Sequence, residues 1–156
     1  MSAETIFDGL EYEPSSWDWV ADQVAEYEAS GGARANTLFD TGIPVLVVSS
    51  VGSRSGKLRK FALMRVEHDG EYALIASKGG DPAHPAWYSN LVAEPNVLIQ
   101  DGAEAEPFVV RELSGAERDE WYARGEAVYP DYTDYAVAAT GHGRVIPVFL
   151  ATPDAG

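Results

Sequence analysis

Cysteine is absent from the chain, so there is no disulfide framework, no thiolate nucleophile and no cysteine-bound zinc or iron–sulfur centre. A chain without thiols suits a reducing compartment, and a cytoplasmic location is expected. Histidine is scarce as well. His68, His84 and His142 are scattered with no i, i+4 pair, so no metal site is expected, and each reads as a surface or capping residue. Positive charge is the third shortage: 11 Lys and Arg stand against 25 Asp and Glu, a formal net charge of −14. Nucleic-acid phosphates would meet a repulsive field, which argues against that class of partner. Long apolar runs are missing too. The longest, residues 43–48, is far too short to cross a bilayer, and stable membrane insertion is not expected. The first 14 residues place no basic stretch ahead of an apolar core and do not read as a secretory signal.

What is present suits one globular domain. A chain of 156 residues with 46% hydrophobic side chains can bury roughly two-thirds of its unfolded surface. Residues 1–35 read as an N-terminal extension and helix, and residues 36–156 as the main body. Ser15 and Asp18 form a weak capping box. Trp17, Val20, Ala21, Val24 and Tyr27 follow at helical spacing until Gly31-Gly32 ends the run. The β-branched run 44–49 predicts a buried strand. Residues 61–67 and 72–77 predict two more, joined by a hairpin around His68-Asp69-Gly70. A second hairpin pairs 97–100 with 108–111 through Asp101-Gly102. Pro85 opens a short helix, Ser114 and Glu117 cap another that runs to about Val128, Asp131 starts a further short one, and 145–151 gives a last strand. Hairpin-linked strands with helices between them predict an antiparallel α+β fold of about six strands.

The basic residues are unevenly spent. Arg54, Lys57, Arg59, Lys60 and Arg65, five of the eleven, fall within twelve consecutive positions. Crowded like charges repel, so an anionic partner is expected to offset them, against the plain alternative of a strand edge guarded by charge. The stretch is not a triphosphate-binding loop. Three residues rather than four separate Gly52 from Gly56, and Leu58 stands where Ser or Thr is required. No G-x-G-x-x-G opens a βαβ unit, and Arg54 occupies the place a nucleophilic serine would need.

The order of short motifs is more specific than any one of them. Ser50-Val-Gly52-Ser-Arg54-Ser55-Gly56-Lys57-Leu-Arg59 comes first, then Ala76-Ser77-Lys78-Gly79-Gly80. His84-Pro85-x-Trp87-Tyr88-x-Asn90-Leu91 and Glu94-Pro95 follow. Tyr129-Pro130-x-Tyr132-x-x-Tyr135 and Ile146-Pro147-Val148-Phe149 complete the series. From about residue 36 to 152 this series resembles the deazaflavin-dependent nitroreductase family of actinobacteria. The resemblance implies a split β-barrel of the flavin-binding type and, as cofactor, coenzyme F420, an 8-hydroxy-5-deazaflavin with a phosphodiester and a glutamate tail. It implies that Gly52, Arg54, Ser55, Gly56, Lys57 and Arg59 hold the phosphate and tail, with Lys60 a weaker partner. Ala76, Ser77, Lys78, Gly79, Trp87 and Asn90 would lie at the deazaflavin, and Met64, Tyr129, Tyr132 and Tyr135 would line the acceptor pocket. Tyr132, Ser77 and Tyr135 are the implied catalytic side chains, with the proton donor left open among Tyr132, Ser77 and water.

The implied activity is hydride transfer from the reduced deazaflavin to an electron-poor small molecule, an activated enone, a quinone or a nitro compound, by a monomer or homodimer. A non-catalytic storage protein for the same coenzyme, or a split barrel binding FMN with its shorter anionic tail, are the alternatives. Two departures from the family pattern bear on substrate range. Met64 stands where some nitro-reducing members carry tyrosine, and Thr140-Gly-His-Gly-Arg144 replaces a threonine-aspartate-arginine run.

Overall fold

The computed structural model describes residues 6–154. Helix α1 (Asp18–Ala29) precedes strands β1 (Val45–Val51), β2 (Leu58–Met64), β3 (Glu67–His68) and β4 (Glu71–Ile75). A single turn of 3-10 helix (Lys78–Gly80) and helix α2 (Ala86–Ala93) lead into β5 (Asn96–Gln100) and β6 (Ala105–Glu112). Helices α3 (Gly115–Val128) and α4 (Asp131–Gly141) and strand β7 (Val148–Pro153) complete the described chain.

All seven strands form one antiparallel sheet in the order β2-β1-β5-β6-β7-β4-β3. The connection between β2 and β3 fixes its curvature. These strands lie at opposite ends of the order, which in a flat sheet would separate them by about 29 Å at the usual strand spacing. Only Arg65 and Val66 join them, and three Cα steps reach at most about 11 Å. The sheet must therefore roll until its two edges meet without pairing. That is the split barrel.

The predicted strand 61–67 is thus two strands. Its first part pairs with β1 (Val45 opposite Met64), whereas Glu67 and His68 cross to the other edge and pair with β4. The hairpin signal at Asp69-Gly70 holds, with φ positive at both residues, but it joins a two-residue strand rather than a full one. The capping box at Ser15 is not formed. Trp17 is the N-cap residue of α1, and the Ser15 hydroxyl accepts instead from the Trp17 N–H at 3.2 Å.

Strand β1 is buried on both faces, as its unbroken apolar run requires. Leu46 and Val48 point into the barrel with Phe61, Leu74, Leu91, Val97, Ile99 and Phe149. Val45 and Val47 face outward beneath Val24 and Tyr27 of α1. A separate core, built on Ile75, Trp121, Tyr122, Tyr132, Ile146 and Val148, seats α3 and α4 against the far side of the sheet.

Candidate functional site

The tight turn from β1 to β2 starts the site. Gly52 donates to the Lys57 carbonyl at 2.8 Å, Gly56 donates to the Gly52 carbonyl at 2.9 Å, and the Ser55 hydroxyl accepts from the Lys57 N–H at 3.1 Å. A side chain on Gly52 would put its Cβ 2.6 Å from the Ser55 Oγ, so the Ser55 hydroxyl would have to turn away from its bond to the Lys57 N–H. Asn90, on α2, accepts from the Ser53 N–H at 2.9 Å and ties the turn to that helix. Arg54 is left exposed at the tip.

The other four basic residues of the 54–65 stretch are matched by the chain's own acids. Residues 11–13 lie along β2, with Leu58 donating to the Glu11 carbonyl at 2.8 Å and Glu13 donating to the Leu58 carbonyl at 2.9 Å. From that position Glu11 pairs with Lys57 at 3.3 Å and Glu13 with Arg59 at 2.8 Å, while Glu28 of α1 pairs with Lys60 at 2.6 Å. Arg65 binds Asp101 at 2.7 Å outside this cluster. The same carboxylate oxygen accepts from the Tyr72 hydroxyl at 2.7 Å, and burial together with that bond pushes the phenol up to about 12. Among the described residues, Arg54 and Lys78 are in no ion pair.

Between α1, the turn and α2 runs an open groove of about 690 Å³. Its floor is flat and aromatic, because Trp87 stacks on Phe61 with centroids 4.7 Å apart and planes 8° from parallel. Arg54, Arg59, Lys60 and Lys78 give it a cationic rim that also holds the carboxylate of Glu13, and Trp17, Trp19 and Val20 add apolar surface from the start of α1. Trp17 and Trp19 are 60% and 50% exposed, with centroids 6.1 Å apart, and Phe39 extends the aromatic row 5.4 Å beyond Trp19. Exposed apolar clusters of this kind mark contact sites.

Of the residues proposed for the cofactor, Gly52, Arg54, Ser55, Arg59, Lys78, Trp87 and Asn90 line this groove together. Gly56 completes the turn and Lys57 faces Glu11. Ala76, Ser77 and Gly79 belong to the loop that carries Lys78, but none of them lines the groove. The residues proposed for the acceptor gather elsewhere. Tyr129, Tyr132 and Tyr135 contact one another edge to face with centroids 5.1–6.2 Å apart, in the α3–α4 core against which Met64 also packs. The Tyr129 and Tyr135 hydroxyls lie 2.9 Å apart, and burial followed by that hydrogen bond raises the Tyr129 phenol. Tyr132 is 1% exposed, and burial holds its phenol protonated well above the ordinary range. Because the hydroxyl is sealed in this core, Tyr132→Phe is expected to leave coenzyme titration intact and turnover within about twofold of the parent, measured under single-turnover conditions.

Two parts of the site escaped the sequence reading. Trp17 was expected on the buried stripe of α1, yet it stands at the N-cap, ahead of the helical periodicity, and opens toward the groove. Arg144, an isolated basic residue, is 7% exposed and binds the loop behind Lys78. No local pattern marks such a contact across more than 60 positions.

A rolled antiparallel barrel whose groove combines a stacked aromatic pair with several cations has the shape and charge to suit a planar ring with an anionic tail. The chain belongs to the F420H2-dependent quinone reductase family, whose model matches residues 19–153. An F420H2-dependent quinone reductase of Mycobacterium tuberculosis is 30% identical over 112 residues, 70% of this chain and 73% of that protein. Among solved structures, an F420H2-dependent reductase is 44% identical with a TM-score of 0.65, covering 70% of this chain and 94% of its own. A domain-swapped dimer is 40% identical with a TM-score of 0.67, covering 88% and 100%. The protein is accordingly an oxidoreductase with coenzyme F420 as its cofactor. No described helix is long and apolar enough to cross a membrane.

Proposed function

We propose that this reductase acts on quinones, and more broadly on flat electron-poor acceptors such as activated enones and nitro compounds, at the groove between α1 and α2. The observation that carries this reading is that the stacked Trp87–Phe61 pair and the exposed Trp17–Trp19 pair line one groove together with four cations. The residues present fit the coenzyme: Arg54 and Lys78, free of carboxylates, suit its phosphate, and the β2 cations suit its glutamate tail.

The bound reduced deazaflavin supplies a hydride to the acceptor. The protein's share is placement. Trp87 supports a planar ring, the turn held by Asn90 sets the position of Arg54, and the Trp17–Trp19 pair covers an apolar acceptor and sheds water from it. Trp17 and Trp19 are the proposed acceptor contacts.

Anaerobic mixing with reduced coenzyme F420 and a panel of quinones, enones and nitro compounds tests the reading, followed by the return of deazaflavin absorbance. Quinones are expected to reoxidise it fastest. Tight coenzyme binding with no reoxidation by any acceptor would overturn the proposal and favour storage. Trp19→Ala is expected to raise the quinone KM by about two- to tenfold, the worth of one aromatic contact. A smaller change is expected in coenzyme titration.

A further inference from the structure

Arg144 is the most enclosed cation of the described chain, and no carboxylate touches it. Its guanidinium instead donates to four uncharged acceptors. Nη1 reaches the carbonyls of Ser77 at 2.9 Å and Asp81 at 2.8 Å, Nη2 reaches the carbonyl of Ala76, and Nε reaches His84 Nδ1 at 2.7 Å. A buried cation is tolerated only when its donors are satisfied, so these acceptors are held by necessity. The peptide unit is planar and trans. Fixing the carbonyls of Ala76 and Ser77 on Arg144 therefore turns the N–H groups of Ser77 and Lys78 the other way. The loop so held is not relaxed. Lys78 sits at φ +46°, a left-handed conformation costly for a residue with a side chain and one that a tether helps to sustain, whereas Gly79 at +64° adopts it freely. Lys78 lines the groove.

We propose that Arg144 and His84 form a clamp that positions the 76–81 loop, and with it Lys78, for the coenzyme, and that protonation of His84 releases it. This rests on the placement of the coenzyme in the groove. As the Nε partner, His84 must be the neutral imidazole with Nδ1 unprotonated, because an imidazolium offers no lone pair and would set a second positive charge 2.7 Å from Arg144. The charged and titratable groups facing His84 are Arg144 from the segment after α4, Glu112 from the end of β6, and Tyr88 of its own segment. Tyr88 lies against the imidazole, tilted by 35° with centroids 4.4 Å apart, and donates to Glu112 at 2.7 Å. Burial and then Arg144 lower the imidazole below its ordinary value, and Glu112 opposes them more weakly. A base depressed in the folded state binds fewer protons folded than unfolded. Its contribution is complete above the unfolded value of about 6.5 and is lost as the pH falls from there through the lower folded value.

The test compares wild type, His84→Asn, His84→Ala and Arg144→Lys by fluorescence titration of coenzyme F420 between pH 5 and 8. Amide hydrogen exchange of residues 76–81 is followed in the protein alone, corrected for the intrinsic effect of pH. Asparagine Oδ1 stands as far from Cβ as Nδ1 does and accepts at every pH in this range. Wild type is expected to lose affinity and loop protection together below about pH 6.5. His84→Asn should lack that step and lie nearer to wild type at pH 8 than His84→Ala does, and Arg144→Lys should expose the loop at every pH. An acid step of the same size in His84→Asn, or full loop protection in His84→Ala at pH 8, would overturn the clamp. Loop exposure that changes without any change in coenzyme affinity would leave the clamp intact but refute its part in positioning. Absence of coenzyme binding in wild type at any pH would instead refute the placement in the groove.

Discussion

Replacing Arg54 with alanine is expected to weaken coenzyme F420 binding by roughly ten- to a hundredfold while leaving the fold intact. A hydrogen bond to a charged group contributes about 1.5–3 kcal/mol, which is the stated range in affinity. Exposure and salt pull the result toward its lower end. Arg54 is the sharpest probe of the rim because it has no ion pair among the described residues. Removing Arg59 would also strand Glu13, and removing Lys60 would strand Glu28, so those variants mix lost binding with a disturbed protein. The measurement is fluorescence titration at fixed salt, with circular dichroism and a melting curve on the same samples. Affinity within twofold of wild type in a folded Arg54→Ala protein would move the phosphate away from this turn.

The second large effect is one of stability, at Gly80. This residue has φ +80°, and a Cβ there would lie 2.6 Å from the Tyr135 carbonyl oxygen and 2.9 Å from the Ala138 Cβ. Both obstacles are fixed to helix α4 and cannot swing aside. The left-handed conformation costs an alanine about 1–2 kcal/mol, and forcing atoms into a closed space adds about 1–3. Gly80→Ala should therefore lower Tm by roughly 5–20 °C in a domain of this size. Gly79→Ala is the control, since φ is +64° there but no atom lies within 4 Å of the added Cβ. It should show the conformational cost alone. Equal melting curves for the two variants would mean that the loop does not rest on α4.

How far the sequence carried can be judged from particular elements. The Asp101-Gly102 turn signal placed β5 and the hairpin, but β6 begins at Ala105, three residues before the expected 108. The motif order led to the split barrel, but strand periodicity alone did not. The decisive event is the break at Arg65 and Val66, where a segment expected to be one strand changes sheet edge. Nothing local distinguishes a strand that continues from one that crosses over, since the cause is closure of the whole sheet. The turn glycines, Arg54, Trp87 and Asn90 were legible as a group only through the family resemblance, whose motifs carry them on two short segments, 50–59 and 84–91. Arg144 was not, since its acceptors are backbone carbonyls, which every residue possesses and no sequence pattern announces. The tyrosines at 129, 132 and 135 show the converse. A regular stripe is visible in the sequence, but its surroundings, here a core between α3 and α4 that buries Tyr132 and leaves Tyr129 and Tyr135 half-buried at its edge, are set by tertiary packing.

The strand-like segment at residues 11–13 changes what binding at β2 means. Lys57 and Arg59 carry covalently tethered counterions, Glu11 and Glu13. A ligand carboxylate that reaches either cation does not simply add an attraction. It displaces another carboxylate that remains attached nearby, at an effective concentration on the order of millimolar. On the proposed placement, the tail would be recognised by exchange between like groups, with few mobile salt ions released when it docks. Salt dependence should accordingly be shallower than the number of basic residues in the stretch would suggest, because much of the neutralisation is present before the ligand arrives.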